Sequence, residues 1–146
     1  MDKSTIQLIL LVVASIGLLA SILGYMEYTG RIGVCSREGI FDCGIVYRVP
    51  GSRLPLGIHL SEAAPIYFTV LGGAILYWVH SGSRRALWAS LVVLLAGASL
   101  IPYLLYLEVW VAGALCFYCT VMHLSIVSGL VIAFHALRAG DASLEA

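Results

Sequence analysis

The sequence predicts an all-α integral membrane protein, a four-transmembrane-helix bundle with a long extracytoplasmic loop between helices 1 and 2. Three observations predict it. Of 146 residues 61% are apolar and 11% charged, with a mean hydropathy of +1.00. A water-facing domain devotes roughly a quarter of its residues to charge, so too few ionic groups exist here to coat one. The apolar residues also gather into uncharged runs of membrane length, and the cysteines fall in the segments between or beside those runs. Eight Lys plus Arg balance eight Asp plus Glu. Without a basic excess there is no electrostatic footprint for a phosphate backbone, so nucleic acid is excluded as a partner and membrane lipid is the expected surrounding.

The first span is read over 6–26, 21 residues without a charge between Asp2/Lys3 and Glu27. At about 1.5 Å per residue this covers the roughly 30 Å hydrocarbon core. A cleaved signal peptide has a shorter apolar region and a small-x-small cleavage site, so the segment is expected to stay in place. The loop over 29–62 holds Arg31, Arg37, Arg48 and Arg53 and two of the four cysteines. Its stretch GIVYRVPGSRLPLGIHL is too apolar for a free linker and is expected to lie against the membrane face or over the helix ends. The second span is 63–80, and Ser81 to Arg85 (SGSRR) is a minimal hairpin link to the third, 86–107, in which Pro102 is tolerable near a helix end. The fourth span is 114–137, separated from the third near Glu108 to Gly113, where Trp110 and Gly113 suit an interfacial turn. Tyr25, Tyr28, Tyr77, Trp78, Tyr103, Tyr106 and Trp110 sit near span ends as interfacial aromatics would. Gly72-Gly73, Gly97 and Gly129 are expected to permit close helix contact. The whole chain, 1–146, reads as a single membrane domain.

Orientation follows from parity and charge. Lys3, Arg84, Arg85 and Arg138 fall on the terminal side and the four loop arginines on the other, a tie under the positive-inside rule. The density of SGSRR favours that hairpin as cytoplasmic. A multi-pass protein of the cell membrane results, with both termini cytoplasmic and the cysteines on the extracytoplasmic face.

Cys35 and Cys43 stand in the long loop, and Cys116 and Cys119 open the last helix in LCFYCTVMH. Parity brings both pairs to one membrane face although two spans separate them in sequence. Cys116 and Cys119, at i and i+3, point the same way on a helix, and a helix start lowers a thiol pKa. Two alternatives stand beside redox chemistry: static disulfides that brace an exposed loop, and a four-thiolate zinc site, for which Cys35-x7-Cys43 lacks the usual knuckle spacing. A relay accounts for more of the pattern. A loop disulfide oxidises an outside dithiol, the reduced loop passes the electrons to the C-x-x-C pair by thiol-disulfide exchange, and a membrane-embedded C-x-x-C without flavin or haem signature points to a quinone as acceptor.

These features resemble the vitamin K epoxide reductase family in its single-domain prokaryotic or archaeal form. The resemblance rests on Cys35-x7-Cys43, on Val49-Pro50-Gly51-Ser52 leading to Leu56-Gly57-Ile58, and on Cys116-Phe117-Tyr118-Cys119. DsbB-type proteins place the C-x-x-C in the first outer loop, an order not seen here. The resemblance implies a four-helix bundle around a quinone of ubiquinone or menaquinone type. It makes Cys119 the thiol facing the quinone, Cys116 its exchanging partner, Cys43 the loop sulfur that attacks Cys116, and Cys35 the acceptor of electrons from a DsbA-like, extracytoplasmic thioredoxin-fold protein. The implied output is disulfide formation in exported proteins; the opposite flow, quinol-driven reduction of outside disulfides, and a non-enzymatic subunit with structural disulfides are the alternatives. His123, one turn after Cys119, matches a family position that hydrogen-bonds a quinone carbonyl, and Tyr47 matches an aromatic lining the pocket. Where family members carry Ser or Thr six residues after the second loop cysteine this chain has Val49, with Ser52 the nearby hydroxyl, and Glu62 reads as a solvated helix N-terminal charge; neither Ser52 nor Glu62 is assigned a catalytic role.

Overall fold

The computed structural model describes residues 2–35, 39–54 and 57–142; Arg37 of the charge count and Leu56 of the Leu56-Gly57-Ile58 run lie outside them. In chain order the elements are α1 (Lys3–Tyr28), a one-turn α2 (Cys43–Val46), a 3-10 turn (Pro50–Ser52), α3 (Leu60–Ser81), α4 (Arg84–Tyr106) and α5 (Phe117–Ala142). Among the described residues there is no strand, only two isolated bridges, Phe41 with Leu115 and Arg53 with His59. Four helices are long and apolar enough to cross a membrane. They run past the uncharged stretches because polar residues close their ends. Ser83 Oγ accepts the Ala86 N–H at 3.2 Å, Thr29 Oγ1 donates to the Tyr25 carbonyl at 3.0 Å, and Gly82 turns out of α3 at φ 61°.

The helices pack as a ring in which α1 touches α3 and α5, and α4 touches α3 and α5. Ile6, Leu10, Ala14, Gly17, Ser21 and Gly24 form one buried stripe along α1. Leu8, Leu19, Ile66, Val92 and Val131 point outward and stay exposed, an exterior suited to acyl chains. Lipid is as apolar as leucine, so close packing rather than water exclusion holds such helices together. Gly17 therefore lies directly under the Phe68 ring and Gly97 under Tyr67, where a Cβ would collide. The Tyr67 hydroxyl donates to the Val93 carbonyl at 3.0 Å, tying α3 to α4.

The structure corrects three sequence expectations. Glu108 to Ala112 is no turn: α4 continues into a π-helical segment, Leu107–Ala112, and the chain reverses only at Gly113, with φ 67°. Trp78 is a core residue, 3% exposed, whereas Tyr77 beside it faces outward. Gly72 and Gly73 meet nothing within 4 Å, so close contact falls to Gly17, Gly24, Gly97 and Gly129 instead.

Candidate functional site

Two backbone hydrogen bonds set the site. The Asp42 N–H donates to the Leu115 carbonyl at 3.0 Å and the Leu115 N–H to the Ile40 carbonyl at 2.9 Å. This rung fixes the residue before Cys43 to the residue before Cys116. At the same end, Glu27 of α1 accepts the Val34 N–H at 3.0 Å and the Cys35 N–H at 3.5 Å. The loop is thus fastened on both sides of its cysteine pair. Asp42 caps α2 by accepting the Ile45 N–H at 3.1 Å, which winds Cys43 inward.

All four cysteines meet in one cluster with Val46, Tyr47 and Tyr118. Cys35 and Cys43 are joined by a disulfide, and Cys116 and Cys119 are free thiols. Cys43 and Cys116 are fully buried, and Cys35 is half-buried. Cys116 precedes the first residue of α5, so its sulfur receives the Cys119 N–H at 3.4 Å as an N-cap side chain would. Tyr47 Oη lies 3.6 Å from the same sulfur. The Cys116 thiol is held below its ordinary value, first by the hydrogen bond from the Cys119 side chain, then by the Cys119 N–H and the Tyr47 hydroxyl, with burial opposing. Burial, followed by the charge of the two neighbouring sulfurs, pushes the Tyr47 hydroxyl far above the usual phenol range, so it remains a donor.

A cavity of about 170 Å³ lies beside this cluster, walled mainly by apolar side chains such as Phe68, Leu100, Leu104 and Ile126. Of the cysteines, only Cys119 is among its described lining residues; Tyr47, His59, Glu108 and His123 join it there. His123 Nδ1 is buried without a hydrogen-bond partner among the described residues. The structure therefore gathers the six residues singled out from sequence, with Cys35, Cys43 and Cys116 on the loop side and Cys119, His123 and Tyr47 facing the cavity. Ser52 also lines it, and its hydroxyl donates to the Val46 carbonyl at 3.3 Å and to the Val49 carbonyl. It knots the loop rather than reaching a sulfur.

Three residues escaped the sequence reading. His59 is 2% exposed; its Nδ1 accepts the Ser61 N–H at 3.1 Å, which leaves Nε2 to donate to the Tyr47 carbonyl at 3.0 Å. Tyr28 stacks on its ring at 4.1 Å. Glu27 is the loop fastening described above. Glu108, 2% exposed, accepts the Cys116 N–H at 3.2 Å and lines the cavity together with Cys119. One signal pointed to it: it is the only charged residue between Arg85 and Arg138. Glu62 matches its reading as a helix-start charge, accepting the His59 N–H at 3.2 Å.

Four helices fit to span a bilayer, carrying a disulfide packed against a pair of thiols, define a multi-pass membrane protein of thiol-disulfide redox chemistry. The model of the vitamin K epoxide reductase family matches residues 8–134, and the chain belongs to that family. No curated protein and no solved structure matches it.

Proposed function

We propose that the protein is a membrane thiol oxidase that takes electrons from an extracytoplasmic thioredoxin-fold, DsbA-like protein and delivers them to a quinone, driving disulfide formation in exported proteins. The observation that carries this reading is the order of the sulfurs: a disulfide on the half-exposed side, buried Cys43 and Cys116 between, and Cys119 alone on the cavity. In this cycle both termini are cytoplasmic and the cysteine cluster extracytoplasmic. Lys3 Nζ lies 3.4 Å from the Gly82 carbonyl, so the N-terminus and the SGSRR hairpin share the end opposite the cysteines.

The cavity fits a quinone on two counts. It matches the size at which a buried apolar hole accepts a six-membered ring, about 150 Å³, and His123 offers it an otherwise unpartnered nitrogen. A bound quinone supplies an acceptor for two electrons and two protons. In the Nδ1–H tautomer His123 donates a hydrogen bond into the cavity, while Tyr47 and the apolar wall orient the ring and exclude water.

Exchange on the sulfur side balances within the chain. A partner dithiol reduces Cys35–Cys43, becoming a disulfide itself. Cys43 as thiolate then attacks Cys116 of an oxidised Cys116–Cys119 pair, releasing Cys119 as thiolate. Cys35 next attacks Cys43, re-forming the loop disulfide and expelling Cys116. A leaving thiol departs faster the lower its pKa, so the Cys119 N–H and the Tyr47 hydroxyl beside Cys116 favour this last step. Loop oxidised and C-x-x-C reduced, as in this structure, is the state that follows it.

Purified protein, a reduced thioredoxin-fold protein and a soluble ubiquinone or menaquinone analogue, followed by quinone absorbance, test the reading. Turnover lost in each single cysteine variant supports it. Absence of turnover with every quinone, or Cys35 and Cys116 labelled from opposite sides of intact cells, overturns it.

A further inference from the structure

A carboxylate within a membrane span is costly unless it is bonded or used, and Glu108 sits in the span Arg84–Ala112 at 2% exposure. Its bond from the Cys116 N–H explains an acceptor at this place but not a charge, because a glutamine oxygen would serve equally. Glu108 lines the same cavity as Cys119, the one cysteine among the described lining residues. No Lys or Arg is among the described residues lining the cavity with it. The titratable groups that line the cavity with it are Tyr47 of the loop, His59 and Tyr67 of the α3 side, and Cys119 and His123 of the α5 side, with Cys116 bonded to it through its N–H; α1 contributes only Ser21 and Gly24 to the described wall. The rival acceptors are the Cys116 sulfur, which the Cys119 side chain already meets, and His123, one helical turn beyond Cys119.

We infer that Glu108 is the proton acceptor for Cys119, poised between that thiol and the cavity. In the step the Cys119 S–H bond breaks, its electron pair stays on sulfur, and an O–H bond forms on the Glu108 carboxylate; nothing is oxidised or reduced. The carboxyl then gives its proton up into the cavity and is restored. The purpose of that proton rests on the quinone reading above, but the transfer itself needs only thiol and carboxylate.

The test is the pH profile of iodoacetamide alkylation at Cys119, measured by mass spectrometry on the full chain in detergent. A Cys116→Ser background keeps an N-cap oxygen and removes the competing thiol. If Glu108 takes the proton, the rate below the thiol midpoint flattens into a plateau, because the pair exchanges its proton internally. With Glu108→Gln the plateau disappears and the rate falls about tenfold per pH unit, as for an isolated thiol. A plateau that survives Glu108→Gln assigns the proton elsewhere and overturns the inference, as does a variant that alkylates faster at every pH, which would make Glu108 a repelling charge only. Should the Gln variant fail to fold, the parent profile decides: a single tenfold-per-unit limb overturns the inference. Quinone turnover is measured separately on wild-type protein, so failure of the relay and failure of the Glu108 step are distinguishable.

Discussion

The two ends of the bundle are built on different principles. Toward the hairpin at Gly82 the interior is apolar filling, with Ile6, Leu10, Leu71, Ile75, Trp78, Leu87, Leu91 and Leu137 in a single cluster. Toward the cysteines, buried Ser52, His59, Glu108 and His123 replace such side chains. The first end is held mainly by fit, with the Lys3–Gly82 contact and the Ser83 cap at its rim. The second is held by directed hydrogen bonds and keeps a cavity that better filling would close. The bundle thus gathers its buried carboxyl and imidazole groups at one end, where the sulfurs lie, and leaves the other to keep the helices in register.

Four substitutions sharpen that contrast. Cys119→Ala is expected to lower quinone reduction by on the order of 10³-fold or more while leaving thermal stability in detergent unchanged, since it removes the nucleophile and little packing. Gly17→Leu is expected to do the reverse. It drives a side chain into the Phe68 ring, costing about 1–3 kcal/mol, which a lowered Tm reports without change in the pH dependence of the thiols. Tyr47→Phe removes one hydrogen-bond partner from Cys116 and is expected to raise the alkylation midpoint of that thiol. The sign follows from the depressed value: thiolate is present above it and lost as pH falls through it, so the variant loses exchange at a higher pH than the parent. Glu27→Gln, the mildest, weakens the grip on Val34 and Cys35; the loop disulfide is expected to be reduced about 2- to 10-fold faster by a soluble dithiol. Equal reduction rates would remove Glu27 from the loop fastening.

The apolar end was legible because an uncharged run of about 20 residues has one good reading in lipid. That the two cysteine pairs meet was legible because parity acts over the whole chain, whereas their order came from the family resemblance. What escaped depends on which way a helix faces. Gly72 and Gly73 have the composition of a contact and point into open space; Trp78 has the composition of an interfacial aromatic and is rotated inward. Glu108 read as a span boundary because a lone glutamate between apolar runs resembles a stop. Only the π-helical winding shows that it lies inside the protein. His59 was hidden for another reason, since its role comes from a carbonyl twelve residues earlier and a ring on α1.

That winding carries an extra residue in its coil. Remove Val109 and the stretch can close up into an ordinary screw, in which Glu108 no longer sits in the wide coil and its carboxylate is aimed elsewhere. The acid and the sulfur it faces would then be out of phase, though neither had been altered. Spacing in this short stretch, more than the identity of its members, is what a one-residue change would put at risk.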